Sequence, residues 1–248
     1  MSALRRLAVL PVSIALLLPG TSAATAAPVK ATVDTAGHKV GMRDRQEMRA
    51  TRVGRRADGR KATLRCVRRG SMVNGHVRRS DRWYKLRNGA WVPGAQLRLP
   101  KAAAKLRTCR KVPFGDDYFY RSRPVGRIDA WRFYSRYCTS FAAWRANQMG
   151  PKFSNFSHGQ HYSNAENWDN AARAAGIPVN RRPRRGAIAQ WDPGVNGASY
   201  AGHVGFVRRV FRDGDVLIEE YNWTTARGYG RRRIPARQVS HFIHFGRR

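Results

Sequence analysis

The chain has 248 residues, 42% of them hydrophobic, enough for one large or two small globular domains. Past the N-terminal segment no stretch approaches the ~20 apolar residues of a membrane span, so the sequence carries no transmembrane segment. Lys and Arg number 48 against 15 Asp and Glu, and the resulting net charge of +33 excludes an acidic or neutral surface.

Such a charge attracts polyanions: nucleic acid, anionic lipid or anionic wall polymers. A genome rich in arginine codons explains why only eight of the 48 basic residues are lysine, but not the shortage of acids. The charge is spread over Arg52 to Arg69, Arg181 to Arg185 and Arg231 to Arg233. It therefore predicts a general electrostatic partner and no single reading surface.

The N-terminus reads as an export signal over residues 1–27. Arg5 and Arg6 precede an apolar run from Leu7 to Leu18, broken by Pro11 and Ser13. Pro19-Gly20 ends the run, and Ala24-Thr25-Ala26 offers a cleavage site; the run is too short for a stable anchor. The expected location is extracellular and associated with the cell wall. A spacer to about Gly37 follows.

Residues 37–100 carry short strand signals separated by turns. Val40-Gly41-Met42-Arg43, the run from Ala62 to Val67, and Trp83-Tyr84-Lys85-Leu86 are strand-sized. Asp58-Gly59, Asn74-Gly75 and Asn88-Gly89 are turn dipeptides, and Trp91-Val92 follows the last directly. The spacing predicts a small all-β barrel. Residues 101–113 are rich in Lys, Arg and Ala and read as a linker. Residues 114–248 begin with helical patterning and finish with strands, an α+β order.

Three cysteines in an exported chain leave one thiol unpaired. Cys66 and Cys109 bracket the β region and are expected to form a disulfide, with Cys138 free. Cys138 opens a segment in which Phe141, Trp144 and Gln148 recur at helical spacing until Gly150-Pro151 stops it. A cysteine at a helix N-terminus meets the positive end of the dipole and unpaired N–H groups, which favour the nucleophilic thiolate. By position alone, a small buried core residue is an equal alternative.

Downstream, Gly202 to Phe211 and Val216 to Trp223 read as two strands joined at Asp213-Gly214. A two-residue turn centred there sets Asn222 opposite Gly205 and Glu220 opposite Val207. Alternation then turns His203, Glu220 and Asn222 to one face and Glu219 to the other. A cysteine nucleophile needs an imidazole base, and the imidazole needs a third group to orient it and stabilise its charged form. A lone His203 would more simply be structural; three polar residues sharing a face in apolar strands argue otherwise.

The motifs D-D-Y (116–118), C-T-S-F-A-A-W-R (138–145), N-A-E-N-W-D-N-A-A (164–172), G-A-I-A-Q-W (186–191), G-H-V-G-F-V (202–207) and E-Y-N-W (220–223) occur in this order. The region resembles the CHAP family, cysteine, histidine-dependent amidohydrolases/peptidases with a papain-like fold. The resemblance implies Cys138 as nucleophile, His203 as base, Glu220 and Asn222 as orienting residues, and peptidoglycan as substrate. Members often carry a polar residue before the cysteine to help bind the oxyanion; Tyr137 stands there instead, beside the Cys138 N–H. The ending W-Y-K-L-R-N-G-A-W-V-P-G-A-Q-L (83–97) resembles a bacterial SH3-like domain, although Arg43-Asp44-Arg45-Gln46-Glu47 departs from that family's usual pattern.

His158-Gly-Gln-His161 lacks acidic or thiol neighbours and reads as loop, not zinc ligands. Asp116-Asp117 reads as solvated, His241 and His244 as packed or exposed, and Trp131, Trp144, Trp168 and Trp191 as core or groove walls. The sequence thus predicts a monomeric, secreted peptidoglycan hydrolase needing no cofactor or metal, held by anionic wall polymer and without a specific nucleic-acid partner. The alternative is a cationic wall- or membrane-binding protein with little hydrolysis.

Overall fold

The structure is a computed structural model describing residues 27–110, 115–150 and 152–246. The expected signal segment lies outside the described residues except for Ala27. Strands β1 (Lys30–Val33), β2 (Val40–Arg43), β3 (Arg52–Arg56), β4 (Lys61–Asn74), β5 (Arg79–Leu86), β6 (Trp91–Pro93) and β7 (Leu97–Arg98) form one antiparallel sheet, ordered β3-β2-β6-β5-β4-β1-β7. β1 falls where the sequence suggested a spacer. Its four residues alternate, with Ala31 and Val33 buried, so it fits between β4 and β7 as a half-buried strand.

β4 is long enough to pair with both β1 and β5, and its register shifts near Leu64/Cys66 and Arg69/Val73 bend it between the two. Cys66 on β4 is disulfide-bonded to Cys109, and Thr108 bridges Val67 in parallel. The expected linker is therefore fastened to the sheet: a 3₁₀ turn over Lys101–Lys105 leads into a segment running beside β4.

The second sheet contains β8 (Val179–Asn180), β9 (Ile188–Trp191), β10 (His203–Val210), β11 (Asp215–Tyr221), β12 (Tyr229–Pro235) and β13 (His241–Ile243), ordered β12-β11-β10-β9-β13-β8. Helix α1 (Cys138–Met149) packs on β10 and β11, and α2 (Trp168–Ala174) lies near β8 and β13. Residues 115–137 form turns, not the helix their patterning suggested. Asp129 accepts the N–H groups of Trp131 (2.8 Å) and Phe133 (2.9 Å), while Arg132 and Arg136 take φ of 68° and 67°. Side-chain capping of the backbone outcompetes the helical ladder there.

Val204, Phe206 and Tyr221 face α1 in a core that also holds Tyr84, Leu86, Trp131, Trp144 and Trp168. Trp191, Val207, Ile218, Ile234 and Phe242 fill a second cluster. The larger core thus runs without interruption from the first sheet into the α1 layer.

Polar groups cross the same junction. Lys85 of β5 and Arg145 of α1 (2.5 Å) both pair with Asp117, and Arg145 also lies 3.2 Å from Glu219 of β11. Burial pushes the Asp117 carboxyl up, but Arg145 and Lys85 outweigh it and hold it well below the usual range. Gly89, between β5 and β6, has φ of 93°, and a Cβ there would stand 2.0 Å from the Asp117 carbonyl oxygen. Only glycine allows that approach.

Candidate active site

Cys138 is the first residue of α1, and its N-cap Tyr137 has extended backbone. Burial would raise the thiol's pKa. The His203 charge and hydrogen bond, with the N–H groups of Val204 and Thr139, outweigh burial and hold it below the ordinary thiol value. Burial would conversely lower His203, but Cys138 and then Glu220 raise it to about 9. Each group favours the charged form of the other, sulfur as thiolate and imidazole as imidazolium.

His203 Nε2 lies 3.0 Å from Glu220 Oε2, which leaves Nδ1 for the thiol. Gly202 makes this placement possible. Its φ is 66°, and a Cβ would stand 2.7 Å from the Glu166 amide nitrogen, so a larger residue would push His203 off the start of β10.

The β10–β11 register differs from the sequence expectation. Phe211 and Asp215 flank a three-residue loop, Arg212 to Gly214, and a bulge falls between Val207 and Arg209. Phe206 pairs with Glu219 and Val207 with Ile218, so paired positions are displaced by two residues from the expected register. A two-residue displacement preserves the facing of every side chain. Glu219 therefore still turns to Arg145, and Glu220 to His203.

Asn222 is not part of the strand. It has φ of 60° beyond the end of β11, and its Oδ1 accepts the Arg227 N–H at 2.9 Å. Glu220 is the group in hydrogen-bond contact with the imidazole. The Arg227 guanidinium lies 4.0 Å from the Tyr137 ring centroid, stacking over the side chain beside Cys138.

Arg232 is a site residue that the sequence reading did not single out. Its Nε donates to Glu220 Oε1 at 2.8 Å. Its guanidinium lies over Trp223 (4.3 Å) and Trp191 (4.7 Å), whose rings also flank His203 at 4.5 and 5.5 Å. Both Glu220 oxygens are thus engaged, one by the imidazole and one by the guanidinium, within aromatic walls. Ser140, one half-turn into α1, donates to Asp129 and meets the Tyr118 hydroxyl, tying the start of the helix to the preceding turn.

The remaining candidates lie elsewhere. His161 stacks on Phe156, and His158 contacts the Tyr162 hydroxyl. Asp117 is buried in the ion network instead of solvated, and Asp116 accepts from Tyr221 at 3.0 Å. His241 lies 3.5 Å from Asp169 and 3.7 Å from Asp192.

Residues 128–222 match the family model of the CHAP domain, a span containing Cys138, His203, Glu220 and Asn222. The N-acetylmuramoyl-L-alanine amidase sle1 of Staphylococcus epidermidis is 43% identical over 110 residues, covering 43% of this chain and 31% of the relative. Its Staphylococcus aureus counterpart is 41% identical over 106 residues, covering 42% and 29%. The match thus spans about a third of the curated relatives' length. Among solved structures, an N-acetylmuramoyl-L-alanine amidase from Staphylococcus aureus aligns with TM-score 0.42 and 24% identity, over 60% of this chain and 41% of that one. The structure of Ly7917 aligns with TM-score 0.35 and 22% identity, over 45% and 53%.

Proposed function

We propose that this chain is a secreted, wall-associated peptidoglycan hydrolase that cleaves an amide by cysteine catalysis. The observation carrying the reading is the Cys138–His203–Glu220 chain of hydrogen bonds, with sulfur at a helix N-terminus. The Cys138 thiolate attacks the amide carbonyl, and the imidazolium donates its proton to the departing amine as the thioester forms. His203 then takes a proton from water, which attacks the thioester and releases the acid and the thiolate. Glu220 holds the imidazole and balances its charge. The Cys138 N–H receives the oxyanion, and Asn222 shapes the adjoining turn.

The CHAP match and the name of the sle1 relatives favour the N-acetylmuramoyl-L-alanine amide as the bond cut. In this reading residues 114–248 are a papain-like catalytic domain, residues 37–100 an SH3-like domain, and the 1–27 segment the export signal. Purified peptidoglycan digested by the mature chain under mild reductant, with mass spectrometry of the products, tests it. Products with a free lactyl carboxyl and a free alanine amine are expected from the parent and none from Cys138→Ala. Equal product from both would overturn the mechanism.

A further inference from the structure

A cleft lies at the other end of α1. With a volume of about 830 Å³, it opens between the first sheet, the C-terminal end of α1 and the strand ends of the second sheet. Arg45, Glu47, Gln148, Arg184, Arg185 and His244 contribute to its walls. Cys138 opens α1 and Gln148 stands near its close, so at 1.5 Å per residue the cleft is about 15 Å from the nucleophile.

Its electrostatics are one-sided. The acid on the wall, Glu47, is already paired with Arg45 at 3.2 Å, and Arg45 also donates to the carbonyls of Asn147 (3.0 Å) and Gly150 (2.6 Å). Arg184 and Arg185 are exposed and form no ion pair with a carboxylate of the described residues. Gln148 closes the inner wall, 7% exposed, with its Oε1 accepting from Arg145. Two exposed guanidinium groups without a carboxylate partner, on one wall of a cleft whose acid is already paired, are matched by anionic oxygens.

We infer that this cleft binds a phosphodiester chain lacking bases, such as a polyol-phosphate polymer, and anchors the chain independently of Cys138 chemistry. Guanidinium forks match phosphate oxygens, and the cleft is large enough for more than one repeat. Apart from the His244 imidazole its walls hold no aromatic ring, so nucleobases would find little stacking surface there.

The test uses the full mature chain and fluorescently labelled poly(glycerol phosphate), which contains no amide to hydrolyse, so failure of the hydrolase reading leaves the measurement intact. At one fixed ionic strength, Arg184→Ala/Arg185→Ala is expected to weaken binding by ~10-fold or more. Arg55→Ala/Arg60→Ala, removing two exposed arginines from β3 and the turn that follows it, is expected to weaken it by less than ~3-fold. Titration of the parent should also shift the His244 imidazole resonance in NMR spectra, a readout independent of any variant's folding. Equal losses in the two double variants, an unmoved His244 signal, or tighter binding of single-stranded DNA of matched charge would each overturn the assignment.

Discussion

Glu220 accepts from two cations at once when His203 is protonated, and this fixes what its neighbours can do. Arg232 engages Oε1 while the imidazole engages Oε2, so the carboxylate cannot rotate away from the base. Glu220→Gln removes the charge that helps raise His203 to about 9. In the proposed mechanism the reacting state is imidazolium beside thiolate, so kcat/KM of the parent should fall as pH rises through about 9, where that proton is lost. In Glu220→Gln the alkaline limb should move to lower pH and kcat should drop ~10²-fold or more, read from a pH–rate profile. Arg232→Gln should give a smaller loss in kcat with little change in KM, because it acts through Glu220. The place of Cys138 at a helix start and the shared face of His203 and Glu220 are legible in the sequence because a helix start and a two-residue alternation are local signals. Alternation alone puts Asn222 on the strand, because it does not show that its φ turns positive at 60°. Arg232 was hidden within Arg231 to Arg233, which resembles a solvated charge run. It becomes legible only when the pairing is carried one strand further, where Ile218 meets Arg232 and the flanking arginines are exposed.

At the level of elements, α1 is held by charge at its middle and by a hydrogen-bonded turn at its start. Asp117 neutralises Lys85 and Arg145 in a site from which water is excluded. Asp117→Asn leaves both cations under-compensated and should cost about 3–5 kcal/mol, read from urea denaturation. The Asp117 carboxyl is depressed in the folded state, so its contribution is present above the unfolded value of 3.8 and is lost as pH falls through the folded value. Asp129 behaves oppositely. Burial raises it to about 7 against the hydrogen bonds it accepts, so its contribution is complete below 3.8 and is lost as pH rises through about 7. Thermal melts of the parent and Asp129→Asn across pH 5 to 8 should show the parent declining more steeply, and parallel slopes would refute this. The helix was legible because Gly150 and the Phe141/Trp144/Gln148 spacing bound it. The turns before it were not, because their conformation depends on Asp129 bonding to amides that the sequence does not reveal as neighbours. β1 is not legible in the sequence for a related reason. A four-residue alternation is too short to stand out until β4 and β7 supply its partners.

Across the whole molecule, the sequence suggests two units and a linker, while the core joins them. Tyr84, Leu86, Ala90 and Val92 of the first sheet belong to the same apolar cluster as Trp131, Phe141 and Trp144. Lys85 completes an ion network whose other members lie beyond residue 110. Arg45 caps the carbonyls at the end of α1, and the disulfide fastens the connecting segment along β4. Removing residues 27–113 would expose that cluster to water and leave Asp117 without Lys85, two changes that each destabilise the remainder. The full chain should therefore unfold in one cooperative transition, with fluorescence and far-UV circular dichroism coinciding in denaturant. Residues 114–248 produced alone should fail to give a cooperative melt, and the full-length Cys66→Ser/Cys109→Ser variant should unfold cooperatively but with about 2–4 kcal/mol less stability. A cooperative melt of 114–248 near the temperature of the full chain would show that the shared core is dispensable and that the two regions fold as independent units.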